Sequence, residues 1–223
     1  MQSRQVSTAL SLLAAGLLIA ACSPVQTDTF EIAGRFTRSL LGQHLKVTRE
    51  EAAAVEYASI GVQIGADDQA MLVLGSDLAG EMSWFSSNKV MIATRNGRIV
   101  ATAGLTDNLG RVGTLNAAPW TGDGNAPLVA GQKYKLLYDL PQFQLYSVPV
   151  DCEASAANDE TIEIMDSEIE TRHISESCDS GELGWSFENE FWLDKTTGYV
   201  WRSVQTVNPK LPPITIEVLR PEQ

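Results

Sequence analysis

Residues 184–205 read GWSFENEFWLDKTTGYVWRSVQ, and this stretch decides the fold class. Two short aromatic-rich runs flank a polar turn at Lys195–Gly198, the pattern of a β-hairpin. If that turn closes the loop, Asp194 pairs with Tyr199 and Trp192 falls opposite Trp201 as a cross-strand aromatic pair. Trp192 then shares a face with Glu188, Glu190 and Asp194, while Phe187, Phe191 and Leu193 occupy the other. Trp185 adds a third tryptophan of the chain's five, so a heavily packed centre is expected here.

Outward from the hairpin the chain continues to read as strand. Tyr57–Ile64, Ala70–Gly75 and Lys89–Thr94 are short apolar or β-branched runs between polar breaks. Asn96-Gly97, between Lys89–Thr94 and Arg98–Ala103, is the strongest local turn signal, because a type I′ turn wants positive φ at both positions. Lys133–Leu140 and Gln142–Val150 form a strand pair across Pro141. Thr161–Met165 and Glu168–Ile174 alternate charged and apolar residues, as half-wet strands do. Ile214–Leu219 closes the chain. Asn108–Pro127, rich in glycine, reads as a loop. Helix is confined to the N-terminal part: Phe30, Ala33, Phe36 and Leu40 suggest a short amphipathic helix over Thr29–Leu41, stopped by Gly42. Thr48-Arg49-Glu50-Glu51 spells a capping box that opens a brief helix to about Glu56. Many short strands with little helix predict an all-β fold. The expected architecture is a single antiparallel β-barrel-like domain, or closed sandwich, with one or two short N-terminal helices. The strands are too short, and their polar faces too charged, for a barrel embedded in lipid.

The start of the chain carries an address. Arg4 precedes an apolar run over Ala9–Ala21, too short for a membrane span of roughly 20 residues and typical of a signal peptide. The cleavage region Ile19-Ala20-Ala21-Cys22 resembles a bacterial lipobox, so Cys22 is the expected lipidation site. Fatty acyl chains such as palmitate, at about 0.8 kcal/mol per buried CH2, would make the anchor permanent. Ser23 after the cysteine favours the outer membrane. The resulting division is a leader over 1–21, a lipidated tether over 22–28 and one β domain over 29–223. With Cys22 consumed, the two remaining cysteines, Cys152 and Cys178, are expected to pair in an oxidising compartment. The 26-residue separation is worth about 3 kcal/mol in the chain-entropy model.

The 223-residue chain carries a formal charge of −12, and loss of the leader, which holds Arg4 and no acid, makes it −13. Nucleic acid is excluded as a partner on that ground, as is electrostatic capture of an acidic polymer. Eleven of the acids crowd into Asp151–Glu182, where Arg172 is the only arginine or lysine. That segment reads as a solvated flank, without the spacing of an EF-hand. The histidines, His44 and His173, sit in unrelated contexts, and no zinc-ligand spacing occurs. No nucleophile elbow is present. The glycines around Gly122 lack a dinucleotide fingerprint. Glu188 and Glu190 lie about 7 Å apart on one strand face, near the spacing of glycosidase pairs, but such pairs usually come from different elements. No catalytic residue, metal or cofactor is therefore expected. The sharper candidate is a contact surface formed by Trp192 and Trp201 with Glu190 and Tyr199. These rings can be buried under other elements or meet a partner, readings favoured over stacking on sugar rings.

Several stretches together resemble the YjbF/GfcB (YmcC-like) lipoproteins. They are Tyr57-Ala58-Ser59-Ile60, the run Asn96-Gly97-Arg98-Ile99-Val100-Ala101-Thr102-Ala103-Gly104-Leu105, and Phe187-Glu188-Asn189 with Trp192 and Asp194. Gly198-Tyr199-Val200-Trp201-Arg202-Ser203-Val204-Gln205 and the closing Pro209, Pro212-Pro213 and Leu219-Arg220-Pro221 complete the set. The Cys152–Cys178 region is not part of the resemblance. The resemblance implies an outer-membrane lipoprotein whose β-barrel-like domain faces the periplasm. It also implies partners: a periplasmic companion and a large outer-membrane β-barrel protein of a capsule or exopolysaccharide export system. A non-enzymatic accessory that docks to that outer-membrane partner is the expected function; direct binding of the polysaccharide is the alternative.

Overall fold

The computed structural model describes residues 45–115, 130–155 and 157–222. The expected leader, the lipidation site at Cys22, the tether, the helix over Thr29–Leu41 and His44 lie outside the described residues. A short helix, α1 (Arg49–Ala53), opens with the predicted capping box: the Thr48 side chain accepts from the Glu51 amide, and Glu51 reaches back to the Thr48 amide. It ends earlier than the sequence suggests, and β structure follows.

Among the described residues thirteen strands follow in chain order: β1 (Ser59–Ile64), β2 (Ala70–Leu78), β3 (Glu81–Phe85), β4 (Met91–Arg95), β5 (Arg98–Ala103), β6 (Arg111–Thr114), β7 (Lys133–Leu140), β8 (Leu145–Ala154), β9 (Asn158–Ile164), β10 (Ser167–Ser180), β11 (Trp185–Asp194), β12 (Val200–Gln205) and β13 (Ile214–Arg220). The Asn96-Gly97 turn takes positive φ at both residues, 48° and 77°, as a type I′ hairpin requires. Two elements differ from expectation. β3, EMSWF, escaped the reading because its single aliphatic residue and the central Ser83 mask the alternation that buries Trp84. β6 lies inside the stretch read as loop; its sequence RVGT buries only Val112, a pattern too short to register. Residues 116–127 of that stretch are outside the described residues.

All strands join one antiparallel sheet in the order β5-β4-β3-β2-β1-β13-β12-β11-β10-β8-β7-β6, with β9 also paired to β10. This is the expected all-β, nearly closed barrel. Its interior is filled by Ile60, Leu72, Trp84, Ile92, Leu136, Tyr138, Val150 and Ile214, all almost wholly buried; each such side chain contributes about 1.5–3 kcal/mol by burial. β10 is the long member. Its C-terminal half pairs with the end of β8 and its N-terminal half with β9, so the β9–β10 turn extends past the wall. Ile162 and Ile164 of this extension pack with Ala52 of α1 and Leu219 of β13 against the outer wall.

The seam between the terminal strands β5 and β6 lacks a continuous ladder. The Thr102 amide donates to the Leu109 carbonyl at 2.9 Å, and the Leu109 amide to the Thr102 hydroxyl at 2.9 Å. Beyond these, a side chain ties β5 to β12. Gln205 on β12 accepts from the Ile99 amide at 2.9 Å and donates to the Gly97 carbonyl at 2.8 Å. A Cβ on Gly97 would come within 2.4 Å of Val200, so glycine lets this turn tuck against β12.

Candidate functional site

Three clusters around the barrel wall carry the polar chemistry of the described residues. The first is inside. Parity along β10 sends Ile174, Glu176, Cys178 and Ser180 inward, and Glu176 is completely buried. Its carboxylate accepts from the guanidinium of Arg98 on β5, the phenol of Tyr134 on β7 and, at 2.6 Å, the Asn189 amide on β11. Asn189 also accepts from the Thr206 amide at 2.8 Å. The Arg98 guanidinium lies 5.0 Å from the Phe191 ring centroid. Burial raises the Tyr138 phenol pKa above its ordinary range, partly offset by Arg98. Beside this cluster Cys152 and Cys178, directly opposite each other on β8 and β10, are disulfide-bonded with Cα atoms 4.1 Å apart. Their sulfurs and a Glu176 oxygen lie close enough to suggest a metal site. The disulfide withdraws both thiolates, however, and the carboxylate is already paired with Arg98. The cluster therefore ties four strands of the wall to the seam strand.

The second cluster is on the outer wall. Glu217 of β13 accepts from Arg202 Nε at 2.8 Å, Lys46 Nζ at 3.2 Å and Gln69 at 2.9 Å. Burial alone would raise its pKa, but Gln69, Arg202 and Lys46 together hold it below the ordinary value. Trp192 also lies here. It stacks on His173 at 4.5 Å and 7°, donates to Glu160 at 2.9 Å, and has the Arg202 guanidinium 5.8 Å from its centroid. Glu190 meets His173 Nε2 at 2.5 Å and the Ser175 hydroxyl at 2.6 Å. Trp192 and Glu190 thus join β9, β10 and β11 to one another.

The predicted hairpin is present, and Asp194 bonds Tyr199 through its amide at 2.7 Å. The Asp194 carboxylate, accepting from the Thr197 and Thr196 amides, has its pKa lowered despite partial desolvation. The Trp192–Trp201 pair, however, is corrected. A register shift beyond Trp192 sets Trp192 opposite Arg202 and Leu193 opposite Val200, leaving Trp201 as the extra residue of a β-bulge. The four predicted contact residues consequently divide: Trp192 and Glu190 sit on the outer wall, while Tyr199 and Trp201 line a cavity.

That cavity, the third cluster, opens at the barrel end formed by the Asp77–Gly80, Asn96-Gly97 and Gly198-Tyr199 turns and has a volume of about 180 Å³. Trp84, Phe191, Ile216 and Val218 reach it from inside the barrel. Tyr199 and Trp201 meet edge to face, 5.1 Å and 74° apart. Burial, reinforced by the Glu222 charge, pushes the Tyr199 hydroxyl pKa up to about 12.

Sequence reasoning missed Arg98 and Glu176. Arg98 was visible only as part of a hairpin. Glu176 was grouped with the solvated acids, although strand parity places it on the same face as Cys178, the residue expected to bridge. That parity was the available signal.

Comparison with known proteins agrees with this architecture. Residues 23–219 match the family described as group 4 capsule polysaccharide lipoprotein GfcB, YjbF. The Escherichia coli (strain K12) lipoprotein GfcB is 25% identical over 214 residues, covering 92% of this chain and 94% of the relative. The lipoprotein YjbF of the same strain is 24% identical over 207 residues, covering 92% and 93%. The crystal structure of Escherichia coli (K12) lipoprotein YmcC shares the fold, with a TM-score of 0.68 at 22% identity over 91% of this chain and all of that one. The chain therefore belongs to the YjbF/GfcB family of capsule polysaccharide lipoproteins.

Proposed function

We propose that this lipoprotein is a non-enzymatic accessory of capsule or exopolysaccharide assembly or export. In this reading it is anchored at Cys22 in the outer membrane, faces the periplasm and acts by docking to an outer-membrane β-barrel partner of the export system, together with a periplasmic companion. The observation that carries this reading is the commitment of the buried ionisable groups to the fold. Glu176 and Arg98 join β10 to β5, and Glu217 holds the segment around Lys46. A general acid or base must instead face a reacting group. Exposed apolar side chains suited to contact stand where β1 begins and β2 ends: Tyr57 and Leu78, 66% and 78% exposed. The test is purification of the tagged lipoprotein from outer membranes in mild detergent after cross-linking. Recovery of a stoichiometric β-barrel protein, lost on Tyr57→Asp/Leu78→Asp substitution, is the expected result. Recovery of no barrel protein would reject docking.

A second reading, direct contact with the polysaccharide, is favoured by one observation: the cavity places Tyr199, Trp201, Trp84 and Phe191 around a space open to solvent. Purified polymer that quenches tryptophan fluorescence saturably would support it.

A further inference from the structure

We propose that the barrel-mouth cavity is a subsite for a single uncharged sugar ring, such as a neutral or N-acetylated pyranose, presented by a glycan chain. The proposal rests on the second reading above, direct polysaccharide contact, and assigns it a place and a ligand class.

Size comes first. At about 180 Å³ the space falls below the roughly 300–1,000 Å³ of sites for drug-sized ligands, so it suits one ring rather than a chain segment. The walls come second. Tyr199 and Trp201 form a corner of two aromatic rings, and Trp84 closes the space from inside. Trp84 has already given its N–H to Thr94 at 2.9 Å, so it offers an apolar surface. A pyranose has one face of C–H groups and a rim of hydroxyls, and aromatic walls with a polar mouth match both.

Charge decides among ring-sized ligands. The two arginines lining the cavity are engaged elsewhere, Arg98 with Glu176 and Arg202 with Glu217. At the mouth stand Asp77 and Glu222, neither with an ion-pair partner among the described residues. Asp77 is held by the Gly80 amide at 3.0 Å. Two carboxylates without a counter-ion repel uronates, phosphates and fatty acids, yet accept hydrogen bonds from hydroxyls. The Tyr199 phenol stays protonated at physiological pH and is a donor on the same rim. Trp192, by contrast, has its ring occupied by His173 and Arg202, so it is not the stacking residue.

Strand parity and the turn register together build the site. Trp201 shares the face of Ser203 and Gln205, the buried residues of β12, and lines the cavity beside Tyr199. The bulge lets Val200 pair with Leu193 on the turn side of it.

The test titrates the full lipoprotein in detergent with glucose, galactose, N-acetylglucosamine, glucuronate and a lysine-rich peptide, read by calorimetry and tryptophan fluorescence. Purified polymer forms a separate arm. At least one neutral or N-acetylated sugar should bind saturably, and glucuronate at least tenfold more weakly. Met82 also lines the cavity, and Met82→Trp, which fills it, should abolish binding. Tyr199→Phe, which keeps the wall and removes only the hydroxyl, should weaken it several-fold, and Trp192→Phe should leave it unchanged. Circular dichroism confirms folding of each variant. No response to any sugar, or a response unchanged by Met82→Trp, overturns the proposal. Binding of the lysine-rich peptide alone also overturns it and gives the cavity to a cationic side chain of a partner. Polymer that binds wild type and Met82→Trp equally rejects the cavity but keeps direct contact. Polymer that fails to bind while a monosaccharide does rejects direct contact but keeps the cavity.

Discussion

Each terminal strand of the sheet is anchored by charge, β5 inside the barrel and β6 outside it, and the two closures differ in kind. Inside, Arg98 of β5 meets Glu176 of β10, with both side chains almost entirely hidden from water. Outside, Arg111 of β6 reaches over β5 and β4 to Glu81 of β3 at 3.0 Å, with Arg95 joining at 3.4 Å. The inner pair is surrounded by Tyr134, Asn189 and the ring of Phe191, which hold it away from solvent. The outer trio is partly open to solvent, with Arg111 the most exposed of the three. Similar chemistry thus sets strand position inside and adds little more than electrostatic trim outside.

The inner pair carries the largest expected effect. Arg98→Met should cost about 3–5 kcal/mol in urea denaturation, because it leaves Glu176 buried without its counter-charge. Arg98→Met/Glu176→Gln should recover a large part of that loss, since no uncompensated charge remains. A single-substitution loss below about 1 kcal/mol would break the distinction between the two closures. The disulfide beside Glu176 comes next. Cys152→Ser/Cys178→Ser should remove about 3 kcal/mol, the chain-entropy value for its 26-residue separation. An unchanged denaturation midpoint would show that the neighbouring hydrogen bonds alone hold β8 against β10.

These two residues also show what the sequence made legible. The hairpin at 184–205, the type I′ turn at Asn96-Gly97 and the capping box at Thr48 are local signals, each set by a few neighbours, while the cysteine pairing follows from the count of thiols. All of them are present in the structure. Arg98 and Glu176 are 78 residues apart, and nothing local tells that one will meet the other. The β-bulge at Trp201 is likewise invisible in a pattern of period two, since one inserted residue shifts the pairing on its turn side by one position. The stretches that carry the family resemblance proved to hold Arg98, Asn189 and Gln205, three polar side chains inside the barrel. A polar residue within a strand otherwise destined for the core was the trace to follow, and Glu176 was hidden by its acidic surroundings.

Glu217 tests an intermediate case, a carboxylate on the outer wall yet shielded by the segment around Lys46. Glu217→Gln keeps the shape but weakens charge-assisted bonds to Arg202 and Lys46, for an expected loss of about 1–2 kcal/mol. Hydrogen exchange should rise first in residues 45–48, whose docking depends on Gln69 and Glu217. Exchange rising first in β5 instead would place Glu217 with the inner closure.

The smallest effect belongs to the outer trio, and its sign can be worked out in advance. Burial pulls the Glu81 pKa upward, but Arg111 and Arg95 outweigh it, so the folded value lies below the ordinary 4.5. A carboxylate whose pKa is depressed by folding contributes stability in full above its unfolded pKa, and that contribution fades as pH falls through the folded value. The stability difference between wild type and Arg111→Ala should therefore be roughly constant from pH 7 to about 5, at no more than about 1 kcal/mol for so exposed a pair. It should shrink toward zero as the solution is acidified below 4.5, and 0.5 M salt should shrink it at neutral pH by screening. Arg98→Met, in contrast, should keep most of its penalty in high salt, because counter-ions do not reach the barrel interior. If salt erased both penalties alike, the inner pair would be as wet as the outer one, and the division between positioning inside and trim outside would fail.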